Sequence, residues 1–326
     1  MHHPYPCRVG IMFRREHAPD ALPHFARRTE ALGFDELWVV EDCFYTSGIA
    51  AAATALASTE TLTVGLGIMP AVVRNPVFTA MEIATLAGAY PGRFLPGIGH
   101  GVSGWMRQIG AFPESQLAAL EEVTATVRGL LAGDELSLDG RHVHVDRAQL
   151  VHPPASVPPV SLGVIGPKSL ALSGRVADGT ILSEYSSPAY VSWAKSQIAE
   201  GQAQTGGPRD HRLTLFAFAA AGTTTAAARD QLRPMVVDAL MSPGMNAKLA
   251  PLGILPHLQA YRESGDRDAL EAGIPDAWID SLTLAGTGDD WRAAIARFAE
   301  LGVDSVVLVP MPDKDPDEIE RFAAQL

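Results

Sequence analysis

Four stretches of the chain bring together residue types that could do proton-transfer or redox chemistry. Glu41-Asp42-Cys43-Phe44-Tyr45 sets two carboxylates beside a thiol. Paired acids can move protons, because crowding raises the pKa of one of them. Neighbours on an extended strand point to opposite faces, so only one of the two is expected to face a common site. A solvated pair or a helix-capping Asp would read the same way. Gly97-Ile98-Gly99-His100-Gly101-Val102 places one histidine among three glycines, followed by Trp105 and Met106. It offers exposed amides, little bulk and, in His100, a group that changes charge near neutral pH. A structural histidine beside a packing Trp105 is the alternative.

The third stretch, Gly65-Leu66-Gly67-Ile68-Met69-Pro70, is followed by Arg74-Asn75-Pro76. Its glycines would let a flat ligand approach the backbone, or serve as ordinary strand punctuation. The fourth, Gly163-Val164-Ile165-Gly166-Pro167-Lys168-Ser169-Leu170, runs into a helical pattern. Glycine before proline at a helix start leaves later amides free, and with Lys168 these would suit one phosphate group. A simple helix cap would look alike, and P-loop spacing is absent. No His-Glu-x-x-His or Gly-x-Ser-x-Gly run occurs, so hydrolase chemistry and a metal site are not expected.

These stretches must be positioned by a repeating framework. Eight short β-branched or apolar runs, at 8–13, 36–40, 62–68, 93–98, 159–165, 179–183, 213–219 and 304–309, alternate with helix-period segments. That is the pattern of parallel strands covered by helices. Phe25, Thr29 and Leu32 form a stripe that Gly33 ends before Phe34-Asp35 opens the next strand. Near the C-terminus Trp291, Ile295 and Phe298, then Gly302 and Val303-Asp304, repeat the device. The same unit at both ends favours a closed (β/α)₈ TIM barrel over an open doubly wound sheet. In such a barrel the working face lies at the C-terminal ends of the strands, where all four stretches fall.

Three segments exceed plain barrel connections. Residues 99–158 hold a helical pattern and an expected hairpin, 135–138 against 142–145 across Asp139-Gly140, with His142 and His144 on one face. Residues 186–211 are mostly helical and polar. Residues 241–280, carrying Met241, Met245, Leu249, Leu252, Ile254 and Leu255, form an expected helical insertion near the substrate mouth. The chain, 1–326, is read as one domain.

Composition narrows the function classes. Lys and Arg number 25 against 37 Asp and Glu, a net charge of −12, which disfavours nucleic acid as a partner. Two cysteines, Cys7 and Cys43, fit neither a disulfide framework nor a cysteine metal site, in keeping with a reducing, cytoplasmic setting. No segment runs about 18 apolar residues, so no membrane span is expected.

In their order along the chain, Leu37-Trp38-Val39-Val40-Glu41-Asp42, Gly67-Ile68 with Arg74-Asn75-Pro76, Gly99-His100-Gly101-Val102 with Trp105-Met106, and Gly166-Pro167-Lys168 with Ala177-Asp178-Gly179 resemble the bacterial-luciferase-like monooxygenase family. More narrowly they resemble its actinobacterial coenzyme F420-dependent oxidoreductases. The resemblance implies a (β/α)₈ barrel with insertions whose mouth holds a deazaflavin ring for hydride transfer, with a cis peptide at Gly67–Ile68 behind the ring. It implies that Gly67, Ile68, Met69, Gly99, His100, Gly101, Val102, Gly163, Val164, Gly166, Pro167 and Lys168 bind the coenzyme. Sugar-phosphate and alcohol dehydrogenases of the family use a histidine after strand two, a tryptophan four places on and a glutamate after strand four. Here Cys43, Ser47 and Val102 stand there, which removes the alcohol-oxidising apparatus.

The expectation is a reductase of an activated double bond or imine in a small organic substrate, with His100, Glu41 or Asp42 as proton donor. The alternatives are an FMN-dependent monooxygenase and a flavin-binding barrel without turnover. Pairing as a homodimer is expected from the resemblance.

Overall fold

A computed structural model describes residues 5–207, 209–312 and 315–326. The barrel strands are β1 (Arg8–Met12), β2 (Glu36–Val39), β3 (Thr63–Pro70) and β4 (Phe94–Gly99). A hairpin follows, β5 (Leu136–Asp139) with β6 (His144–Ala148), and then β7 (Ser161–Gly163), β8 (Gly179–Leu182), β9 (Arg212–Ala221), β10 (Leu284–Gly286) and β11 (Ser305–Val309). The parallel order β9-β11-β1-β2-β3-β4-β7-β8 closes on itself through a β8–β9 pairing. The expected eight-stranded barrel is therefore present. The three-residue β10, not foreseen, pairs with the part of β9 that overruns the ring.

Seven crossovers join the strands. α1 (Leu22–Ala31), α2 (Gly48–Ala57) and α3 (Pro76–Ala89) are simple ones, and α4 (Ser103–Gln108) and α5 (Gln116–Leu131) precede the hairpin. α6 (Pro167–Val176) and α7 (Pro188–Ala203) follow β7 and β8. After β9 comes α8 (Thr225–Met241) and a run of short helices, α9 (Asn246–Leu249), α10 (Leu255–Ser264), α11 (Arg267–Gly273) and α12 (Asp276–Leu282). α13 (Gly288–Glu300) leads into β11, and α14 (Ile319–Ala323) closes the chain.

Strand alternation sorts the side chains into two cores. Leu213, Leu215 and Ala217 of β9 face the helix layer, whereas Phe216 and Phe218 face the barrel axis. Val306 and Leu308 of β11 do the same against Val307 and Val309. The inner core continues out of the barrel into α8–α12, where Leu249 and Ile254 are buried. That continuation explains the irregular apolar character of 241–280: these residues cover the inner core instead of forming one amphipathic stripe.

The repeated helix-to-strand unit has a physical basis. Gly33 and Gly302 take left-handed φ values of 85° and 79°, ending α1 and α13. Asp35 and Asp304 then accept the amides of Val9 and Leu213 at 2.8 and 2.7 Å, tying each turn to the neighbouring barrel strand that precedes it. Asp178 does likewise for Val160 at 3.1 Å. Inside the base, the fully buried Glu36 accepts from Trp38 Nε1 (2.8 Å), Arg212 Nη2 (2.5 Å) and Ser305 Oγ (2.8 Å).

Two expectations need correction. Residues 186–211 are no insertion, since α7 is the barrel's own crossover helix and packs on α6. The hairpin does not turn on Asp139-Gly140: Asp139 pairs with His144, leaving the four-residue loop 140–143. The Glu122 carboxylate on α5 accepts the amides of Arg141, His142 and Val143 at 2.8–2.9 Å, which fixes that longer loop. His142 thus sits in the loop and does not share a strand face with His144.

α6 and α7 cross at glycines. A methyl at Gly201 would lie 1.9 Å from the Ala171 carbonyl oxygen, and one at Gly174 would lie 2.0 Å from that of Ile198. Gly201→Ala is expected to cost about 1–3 kcal/mol in denaturant unfolding. Gly88→Ala, where a methyl meets nothing within 4 Å, should cost nothing.

At the base, His211 Nε2 meets Thr180 Oγ1 at 2.7 Å, and burial pushes its pKa down to about 4. Between pH 6.5 and 4 the unfolded chain takes up a proton that the folded one refuses, so stability falls as pH falls through that window. The loss should reach about 3 kcal/mol, at about 1.4 kcal/mol per pH unit. His211→Gln should flatten that part of a pH-dependent unfolding series.

Candidate active site

A cavity of 490 Å³ opens at the C-terminal ends of the strands. Its floor is apolar: Met12, Ile181 and Phe216 rise from the barrel axis, and Ile68 lies across the ends of β3, β4 and β7. The Gly67–Ile68 peptide is cis, and the β3–β4 register shifts between Leu66 and Met69. Ile68 fills space that three glycines leave open. Methyls at Gly97, Gly99 and Gly163 would lie 3.3, 2.9 and 2.4 Å from its side chain. The glycines at the ends of β4 and β7 are thus the condition for the floor.

The acidic wall departs from the strand-based expectation. β2 stops at Val39, so Glu41 and Asp42 lie beyond the pleat and both line the cavity. Each is held by a guanidinium. Glu41 receives Arg74 at 2.7 and 3.1 Å and the Gly48 amide at 3.0 Å, at the start of α2. In the same Arg74-Asn75-Pro76 motif, Asn75 caps α3 by accepting the Val77 amide at 2.9 Å. Asp42 receives Arg15 Nη1 at 2.6 Å. The Arg15 guanidinium also stands 5.0 Å from the Tyr45 ring and 5.5 Å from that of Trp105, so it joins three rim segments. Trp105, expected to pack, lines the cavity as well. Cys43 lines it too, its thiol pushed up by burial and by the two neighbouring carboxylates.

His100, Gly101 and Val102 form the wall after β4. His100 Nε2 lies 3.1 Å from Ser169 Oγ in the first turn of α6. Burial lowers the His100 pKa, against an opposing contribution from the Gln116 backbone, so the imidazole is neutral at pH 7. Gly163, Val164 and Gly166 complete that side, with Gly166 as N-cap of α6 and Pro167 in its first turn. The wall does not include Met69, Gly99, Pro167 or Lys168. Met69 is buried against the helix layer, Gly99 lies beneath Ile68, and Lys168 is exposed in the first turn of α6.

Sequence reasoning passed over Arg15, Ser169, Glu184 and Lys248. Arg15 and Glu184 stand just past strands one and six, two strand ends where no glycine or acid cluster drew attention. Lys248 carries no local signal, being one lysine in an apolar run, yet it is buried and donates to Ser183 O, Ser183 Oγ and Glu184 O at 3.0, 2.7 and 2.5 Å.

A model of the luciferase-like monooxygenase family matches residues 5–305. The chain belongs to that family. It is 30% identical to the 5,10-methylenetetrahydromethanopterin reductase of Methanolobus tindarius over 306 residues, 91% of this chain and 92% of that one. It is 28% identical to an F420-dependent glucose-6-phosphate dehydrogenase of Nakamurella multipartita over 227 residues, 65% of this chain and 67% of the relative. Among solved structures, the coenzyme F420 dependent tetrahydromethanopterin reductase of Methanopyrus kandleri superposes with a TM-score of 0.81 at 21% identity, covering 98% of both chains. This luciferase-like chain is an enzyme of the oxidoreductase class. No helix among its described residues is long and apolar enough to cross a membrane.

Gly163→Ala tests the floor. The new methyl would drive Ile68 up into the cavity, so affinity for a planar cofactor should fall by about tenfold or more, a loss of about 1.4 kcal/mol. Fluorescence titration of the variant against the parent reads that loss.

Proposed function

We propose that the protein is a coenzyme F420-dependent oxidoreductase that reduces an activated double bond or imine in a small organic molecule. The observation that carries this reading is the cavity itself, whose apolar floor lies between a glycine-bordered histidine and a free helix start. Its 490 Å³ falls within the roughly 300–1,000 Å³ of small-molecule sites. The residues present fit a planar tricyclic ring with a phosphate-bearing tail. When bound, F420 supplies a ring carbon that gives or takes a hydride.

The chain's own residues bind and orient. Ile68 backs the ring, the turn from Gly99 to Val102 borders it, and Gly163 and Val164 flank it. Gly166 and the amides behind Pro167 face the phosphate side, with Lys168 attracting the tail from outside. The apolar floor excludes water from the reacting face. Glu41 and Asp42 already commit their oxygens to Arg74 and Arg15. His100 remains as the group able to hold or pass a proton, at Nε2 through Ser169 Oγ. Cys43, Ser47 and Val102, at the places of the alcohol-oxidising residues, support reduction over alcohol oxidation. The family name keeps an FMN-dependent monooxygenase as the second reading.

Titration of the purified protein with F420 and with FMN, followed by fluorescence, separates the two. F420 is expected to bind at least about tenfold tighter. Tight binding of FMN alone overturns the F420 reading, and coenzyme binding without hydride exchange across a substrate panel would leave a non-catalytic barrel.

A further inference from the structure

The cavity wall carries one carboxylate that no group among the described residues hydrogen-bonds. Glu184 follows β8 and lines the cavity. Among the described residues its carboxylate has neither an ion pair nor a hydrogen bond, in contrast to Glu41 and Asp42 on the same wall. No Lys or Arg side chain is among the lining residues, and His100 is neutral. Among the lining residues Glu184 is therefore the acid without an ion pair.

The main chain around Glu184 is held unusually firmly. Tyr185 takes φ 62°, a left-handed conformation rare for a bulky side chain. Its ring packs at a tilt on Phe218, with centroids 5.1 Å apart, and its hydroxyl donates to the Met235 carbonyl at 3.2 Å, which holds the residue there. On the other side the buried Lys248 ammonium spends its three donors on Ser183 O, Ser183 Oγ and Glu184 O. All three acceptors are main-chain or hydroxyl oxygens, so Lys248 fixes the Glu184 peptide and acts on its carboxylate only through space, as a charge that favours the ammonium, without hydrogen-bonding it. A strand end clamped by elements on both sides, presenting an unpaired acid to a half-enclosed cavity, has the form of a recognition site.

We infer that Glu184 is the residue with which the cavity recognises a positively charged nitrogen on its organic substrate, a protonated amine or an iminium, and disfavours a substrate that would bring a phosphate to that same place, away from the coenzyme's phosphate side at Gly166. This rests on the reading of the cavity as the place where substrate meets coenzyme. A carboxylate in a partly desolvated wall makes its strongest hydrogen bonds to a charged N–H donor or sits against a fixed cation. The same charge, with no lysine or arginine on the wall to offset it, repels a phosphate.

Three ligands with one benzyl body and different charge test the inference: benzylammonium, benzyl alcohol and benzyl phosphate. Calorimetric titration of the full chain at pH 7, with and without F420, should show benzylammonium binding about tenfold or more tighter than benzyl alcohol, and benzyl phosphate weakest. Glu184→Gln should erase that preference, and Glu184→Lys should turn it toward benzyl phosphate. The thermal midpoint of each variant checks its folding. Equal affinity for the three ligands, binding of none of them by the parent protein, or a preference that survives Glu184→Gln would overturn the inference. F420 affinity, read from coenzyme fluorescence in the same samples, reports on the coenzyme reading alone. Charge preference without F420 binding would sink that reading and leave Glu184 standing, and the converse result would do the opposite.

Discussion

Ile68 can lie across the barrel axis only because Gly97, Gly99 and Gly163 have no side chains. Close-packed interiors leave no spare volume, so a floor made by one aliphatic side chain has to be matched by absent atoms on the neighbouring strands. Those three positions belong to β4 and β7, while the residue that fills them belongs to β3. The shape of the cavity is thus a contract among three strands far apart in sequence. Gly67 obeys the same rule from below, since a methyl there would lie 2.7 Å from Phe216.

Above this apolar floor the rim is organised by charge. Arg74 ties the loop after β2 to the start of α3, and Arg15 ties the loop after β1 to that after β2 and to α4 through a carboxylate and two rings. These pairs are partly exposed, so each contributes little stability by itself. Their value is positional, because they convert two acids into fixed wall, while His100 and Glu184 stand on the wall without an ion pair.

The barrel was legible because its signals are local. β-branched runs, glycine-ended helices and the Gly-x-Asp turns at 33–35 and 302–304 each declare themselves within about ten residues, and their repetition implies closure. The candidate site was legible where glycine density marks a strand end, as at Gly67, Gly99 to Gly101 and Gly163 to Gly166. It was illegible where side-chain direction decides. Glu41 and Asp42 both reach the wall because β2 ends at Val39, before either of them, and Lys168 lies exposed in the first turn of its helix. The Asp139-Gly140 turn was misread because three amides of the next loop prefer Glu122, 17 residues upstream of Asp139, and periodicity holds no record of such a partner. Lys248 is the extreme case, since only the folded chain shows what its ammonium holds.

Glu36, Arg212 and Ser305 open three strands, two of which, β9 and β11, are neighbours while the third stands one strand away across β1. Their shared hydrogen bonds act as a crossbar through the foot of the ring, so its diameter is set at the end remote from chemistry. Loops at the opposite end can then drift in length and composition without loosening the scaffold. One stiff pedestal of this kind allows a lineage to exchange clientele by rewriting its brim alone.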